Sequence, residues 1–406
     1  MRKIVTAIAF GDWLERERLL AYPAIILLLT IAATVYVLVT NGGLLPNGSP
    51  FGSDFVSFWT AAREALAGRP DVPYDRSLFE PLQTSLFPTS GYFAFFYPPH
   101  FLVYMMPFGH LSFYAALIAW MVLSFGFAVF VLAKITALPK EVFVLALAFP
   151  AAFLTIAHGQ NAFLSAALFG GALFLLPSRP VFAGILFGLL TYKPQLGLLI
   201  PFVLVAGGYW RSIVAAGATL FVLIVVSTLV LGADIWSIFF AQSQYAVETM
   251  RHGMVAWEKM ISTYAALRVL GFSDILASII HYSIAFGVTI FAFVVWMPRN
   301  HIPFSIKAAV LLCASLIVTP FSLNYDLFIL APAIAFMASF GLRGEFLSYE
   351  KTILAIVYMS PIIVLLFMPM GISTAPIFVL LFFGFLVRRA MHEMGLYEIS
   401  LNPQST

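Results

Sequence analysis

Apolar runs long enough to cross a bilayer, or nearly so, begin near residues 20, 111, 141, 161, 212, 272, 304, 326, 352 and 375. Backbone groups in lipid must find their hydrogen bonds internally, and a helix of roughly 20 residues does this within one segment. The expected fold is therefore an all-α polytopic membrane protein. Only 10% of its residues are charged, where a soluble domain carries about a quarter. The runs recur almost to the end, so residues 1–406 read as one integral membrane domain. The first, residues 19–39, lacks an Ala-x-Ala cleavage pattern and exceeds a signal-peptide core, so a retained helix is expected. A single cysteine, Cys313, excludes an intramolecular disulfide. The net charge of +3 comes from loop lysines and arginines, with no patch suited to nucleic acid.

Residues 181–209 are too many for one span and too few for two full ones, and they contain Lys193-Pro194. Charge arbitrates, because Lys and Arg collect on the cytoplasmic side. With the N-terminus inside and a hairpin here, Arg2, Lys3, Arg16, Arg18, Lys134, Lys140, Arg179, Arg211, Arg299, Lys307, Arg343, Lys351, Arg388 and Arg389 face the cytoplasm, which is 14 of 21 basic residues. A single crossing would leave ten on each side and Lys193 in mid-membrane. The hairpin is the expected arrangement, giving about 10–12 transmembrane helices, cytoplasmic termini, and two long outer loops at about 40–110 and 233–271. The cytoplasmic loops are too small for a nucleotide-binding domain, which argues against an ATP-driven pump.

The first outer loop carries FGSDFVSFW at 51–59, an acid among aromatics. Beyond Asp54, Phe55, Phe58, Trp59, Ala62 and Leu66 recur at helical spacing and Gly68 can end the helix, so an amphipathic helix lying on the outer membrane surface is expected. Asp54 would occupy its N-cap. It either does no more than accept backbone N–H bonds there, or acts as a general base toward a hydroxyl of an incoming substrate. Downstream, Tyr92–Pro107 is strongly aromatic, and Pro98-Pro99 forbids a continuous helix through it. Such a segment would dip into or lie along the outer leaflet, suiting either a lipid-linked ligand or plain anchoring.

The order of GSDF (52–55), FWTAAREALAG (58–68), PYD (73–75), YPP (97–99), GQNAF (159–163), AGILFGLL (183–190) and YKPQ (192–195) resembles glycosyltransferase family 87, a group of multi-spanning C-type glycosyltransferases, over about residues 20–340. The resemblance implies inverting transfer of a hexose, mannose in the best-known members, from a polyprenyl-phosphate sugar to a glycan or glycolipid acceptor. The reaction would take place at the outer face of the cytoplasmic membrane, among its lipids. It maps the family's catalytic acid onto Asp54. Members with mannosyl activity tend to show Ser-Trp followed by paired histidines near a later outer turn, where this chain has Ser322-Leu323-Asn324-Tyr325-Asp326.

A departing phosphate needs cations or hydrogen-bond donors aimed at its developing charge. Lys193, a point charge at a helix break, is the first candidate for that role, and otherwise an interfacial lysine that snorkels to water. Arg63 and Arg251 are further candidates. Asp75, Tyr97, His158, Gln160, Asn161, Tyr325 and Asp326 lie in outer turns and are expected to bind substrate, although turn formation alone also accounts for such residues. No Asp-x-Asp accompanies Asp54 and no cluster has metal-ligand spacing, so neither a metal nor another cofactor is expected. Broken helices also build transporter sites, so a transporter or flippase for a polar or lipid-linked solute stays open as the alternative.

Overall fold

The computed structural model describes residues 2–45, 48–89, 91–136, 138–254, 256–298 and 301–396. Its helices are α1 Arg2–Phe10, α2 Arg16–Thr40, α3 Phe55–Leu66, α4 Arg76–Leu86, α5 Pro99–Gly109, α6 Phe113–Thr136, α7 Pro139–Ala148, α8 Pro150–His158, α9 Ala162–Leu175 and α10 Pro180–Leu189. They continue as α11 Ile200–Ala206, α12 Trp210–Leu231, α13 Ile235–Arg251, α14 Thr263–Val269, α15 Asp274–Trp296, α16 Phe304–Val318, α17 Leu330–Arg343, α18 Glu350–Phe367 and α19 Ala375–Glu393. Among the described residues there is no strand, only two isolated bridges, Leu44 with Pro50 and Met260 with Leu323. The protein is thus all-α and polytopic.

Among the described residues seven helices are long and apolar enough to span a membrane, α7 and α8 form an eighth path bent by 64°, and four further apolar helices are shorter. Each expected run is occupied by one of these elements. The bend was not expected from the run that begins near residue 141. Pro150 supplies no backbone N–H, and Phe149 before it is held extended at φ −62°, ψ 120°, so the ladder breaks between them.

Residues 180–209 form the hairpin. The Ser212 hydroxyl donates to the Pro180 carbonyl at 2.7 Å, so both lie at one end of the bundle. A Cβ on Gly184 would sit 2.4 Å from the Ser212 carbonyl oxygen, and one on Gly188 2.5 Å from Thr219. Contacts therefore advance together along α10 and α12, which run in the same direction, and α11, the returning arm, packs against α12 and α15. A single crossing would place Pro180 and Ser212 at opposite ends.

Basic residues gather at that end. Arg16 pairs with Glu141 at 2.6 Å, Arg388 donates to the Ser348 carbonyl at 2.7 Å, and the Trp296 indole donates to the Lys307 carbonyl at 3.0 Å. Lys134, Lys140, Arg179, Arg211, Arg343, Lys351 and Arg389 sit at or near helix ends on the same side. Nothing is described for the Arg2 and Lys3 side chains, and Arg299 lies outside the described residues. Asp54, His158, Lys193 and Asp326 mark the opposite end.

One expectation is corrected. Helix α3 does not lie on a surface: ten of its twelve residues are buried. Phe58 packs edge-on to Tyr97 at 5.1 Å and Phe101 at 5.2 Å, and Trp59 to Phe113 at 5.7 Å. Small residues on the same face as Phe58 let α5 close on it, with Gly109 against Ala62. The aromatic segment runs extended to Pro98 and turns helical at Pro99, the first position of α5, where a missing N–H costs nothing.

Candidate active site

Two glycines set the position of Asp54. Gly52 and Gly159 both have positive φ, +81° and +67°, and a Cβ on Gly159 would lie 2.6 Å from Phe55 Cβ and 3.3 Å from the Gly52 backbone. The two loops dock glycine against glycine, and backbone bonds tie them: Gly52 N–H to the Ala157 carbonyl at 2.9 Å and Asp54 N–H to the His158 carbonyl at 3.0 Å. The start of α3 is thereby fixed to the α8–α9 turn.

Asp54 occupies the N-cap position but does not cap. Its backbone is already helical and its carboxylate makes no cap bond. Instead, Oδ2 accepts from the Gln160 amide at 2.8 Å and Oδ1 from the Ser53 hydroxyl at 3.3 Å. Gln160 is held in turn by the Tyr97 hydroxyl, which donates to Oε1 at 3.3 Å. Burial raises the Tyr97 phenol well above its ordinary value, so it stays a donor at neutral pH.

Asp54, Tyr97, His158, Gln160, Lys193, Tyr325 and Asp326 line one cavity of about 720 Å³, within the usual range of ligand sites, about 300–1,000 Å³. His158 faces it with Nδ1 engaged to the Leu154 carbonyl at 2.9 Å. Asn161 lies just beneath. The remainder of the wall includes Arg76, Glu80, Tyr92, Tyr245 and Lys259, which join both long loops to the site.

Lys193 sits at the hairpin tip between two 3-10 turns, Leu190–Tyr192 and Pro194–Gly197. Its side chain is 3% exposed and that of Asp326 2%, and the ammonium lies 2.5 Å from Asp326 Oδ1. It also donates to Asn161 Oδ1 at 2.9 Å and sits 5.2 Å from the Tyr325 ring. Asp326 Oδ2 meanwhile accepts from the Leu323 N–H at 3.2 Å. The Lys193 ammonium lines the cavity as expected, but here it is paired with a carboxylate rather than left open for a ligand's anion. It is also no snorkelling lysine.

Three further expected site residues, Arg63, Arg251 and Asp75, do not line the cavity. Arg63 is exposed with its guanidinium 4.8 Å from the Trp59 ring centre, Arg251 is exposed at the end of α13, and neither lines the cavity. Asp75 is exposed and caps α4, accepting from Ser77 N–H at 2.8 Å. The Ser77 hydroxyl is the main cause holding its carboxyl below the usual range. Arg76, Lys259 and Tyr245 were missed because nothing in their spacing marks them. Arg76 directly follows the Pro-Tyr-Asp signature, the one clue available.

The family model for glycosyltransferase family 87 matches residues 95–320, more than half of the 406. No curated protein and no solved structure matches the chain. The matched part holds Tyr97, the Gly-Gln-Asn turn and the Lys193 hairpin, and Asp54 docks onto it from outside. An all-α polytopic bundle, a ligand-sized cavity at one end and this match together place the chain in glycosyltransferase family 87, as a membrane glycosyltransferase.

Proposed function

We propose that this enzyme moves a hexose, mannose first among candidates, from a polyprenyl-phosphate sugar to a glycan or glycolipid acceptor, with inversion in one displacement. The observation that carries this reading is the state of the cavity's carboxylates. Asp326 is paired with Lys193 and Glu80 with Arg76. Among the described residues Asp54 has no ion-pair partner, only the hydrogen bonds from Gln160 and Ser53. A carboxylate held in place by neutral donors and left without a cation has the fixed position that a general base requires.

In the proposed step the acceptor oxygen attacks the anomeric carbon as Asp54 takes its proton. The bond from that carbon to the phosphate oxygen breaks, and polyprenyl phosphate leaves with the electron pair. Gln160 holds the carboxylate in place and Tyr97 holds Gln160. Supplying proteoliposomes with radiolabelled hexose on polyprenyl phosphate, or on a nucleotide, tests the donor class. Label should reach a membrane acceptor from the lipid donor alone. Transfer from the nucleotide sugar with none from the lipid donor would contradict it.

The basic end of the bundle supports a cytoplasmic assignment for that end and an outer-face cavity in the cytoplasmic membrane. In intact cells Asp71→Cys and His252→Cys, both at exposed positions of the long loops, should react with an impermeant thiol reagent, and Glu345→Cys should not. The reverse pattern would invert the protein in the membrane. Cys313 is buried and stays silent in the background.

A further inference from the structure

We infer that Lys259 holds the donor's phosphate, an inference that rests on the proposed polyprenyl-phosphate donor. The cavity wall carries three acids, Asp54, Glu80 and Asp326, and, beside His158, three lysine or arginine side chains, Arg76, Lys193 and Lys259. Two pairs cancel. Arg76 is spent on Glu80 at 2.8 Å and on the Tyr245 hydroxyl at 3.1 Å, and Lys193 on Asp326 and Asn161. Among the described residues, what remains in the cavity without an ion-pair partner is the Asp54 carboxylate and the Lys259 ammonium. Those are the two charges that transfer from a phosphate donor needs, one to take the acceptor's proton and one to receive the leaving phosphate.

Lys259 is exposed, and among the described residues no carboxylate pairs with it. Its backbone is nonetheless fixed to the site. It ends the 3-10 turn Trp257–Lys259, which is braced by Arg268 lying 4.6 Å from the Trp257 ring centre. The next residue, Met260, is buried and bridges to Leu323. Ile261 N–H donates to the Ser322 carbonyl at 2.9 Å, and the Ser373 hydroxyl to the Met260 carbonyl at 3.2 Å. The second long loop is thus pinned to the turn that carries Tyr325 and Asp326. A flexible four-carbon stem on an anchored backbone lets the ammonium follow a phosphate as it leaves. Lys193 would have to abandon Asp326 to do the same.

The test measures binding of a short-chain polyprenyl phosphate, and of the alcohol of equal chain length, to the full chain in zwitterionic nanodiscs. Lys259→Met should weaken phosphate binding by about tenfold to hundredfold, leave alcohol binding unchanged, and lose nothing in thermal stability because the side chain is exposed. Lys259→Arg should keep most of the affinity. Equal phosphate binding by Lys259→Met and wild type overturns the inference while leaving the donor class intact. Failure of wild type to prefer the phosphate to the alcohol overturns both. Anionic phospholipid should not displace the ligand. If it does so through Lys259, the residue contacts bilayer headgroups and the inference is wrong.

Discussion

Lys193→Met is expected to destabilise the protein by about 3–5 kcal/mol, the usual cost of removing one partner from a buried ion pair. The loss arises from what remains. Asp326, whose side chain is 2% exposed, would keep a charge with no counter-ion, since Lys193 is the only cation recorded against it among the described residues. Asn161 would lose the ammonium that donates to its buried Oδ1. Methionine retains most of the apolar stem, so packing contributes little. Unfolding can be followed with a thiol-reactive dye, because Cys313 is the only cysteine and is fully buried. The single variant should unfold well below wild type. Lys193→Met/Asp326→Asn should recover much of the difference, since the amide removes the stranded charge and still accepts from Leu323 N–H. A single variant as stable as wild type would show that the pair carries no structural weight.

What could be read from residues alone follows the range of the interactions involved. Spans were legible because hydropathy is a local property, and the hairpin because basic residues at Arg179 and Arg211 must share a side. The Ser212 to Pro180 bond then fixed it independently. The break at Phe149-Pro150 was hidden inside an unbroken apolar run, where proline was the only sign. Helix α3 was misread for a different reason. Its apolar spacing is real, but its polar positions Ser57, Thr60 and Glu64 are also buried, Ser57 at the wall of the cavity and Glu64 paired with Arg69. Lys193 and Asp326 are 133 residues apart, and no local pattern announces that they neutralise each other. Arg63, Arg251 and Asp75 were reasonable on loop position alone, which says nothing about the direction of a side chain. Asp54 was found because an acid among aromatics is conspicuous, yet its partner Gln160, 106 residues away, needed the fold.

Asp54→Asn should reduce sugar transfer by about 10²- to 10⁴-fold, the contribution of a positioned general base. Structure should survive the change. Among the described residues the carboxylate makes no helix cap bond and no ion pair, and in the variant the amide oxygen can still accept from Gln160 Nε2 while the amide NH2 donates to the Ser53 hydroxyl. Donor binding should also stay near wild type, since the donor phosphate is assigned to a different charge. Gln160→Leu should reproduce part of the loss, because the carboxylate would then lack its orienting donor. The decisive measurement is single-turnover transfer in proteoliposomes loaded with a polyprenyl-phosphate mannose, comparing wild type with Asp54→Asn at equal donor occupancy and reading the anomeric configuration of the product. The expected result is inverted product from wild type and a rate at least about a hundredfold lower from the variant. A variant rate within a few-fold of wild type, or a product with the donor's configuration, would contradict the assignment of Asp54 as the base of an inverting transfer.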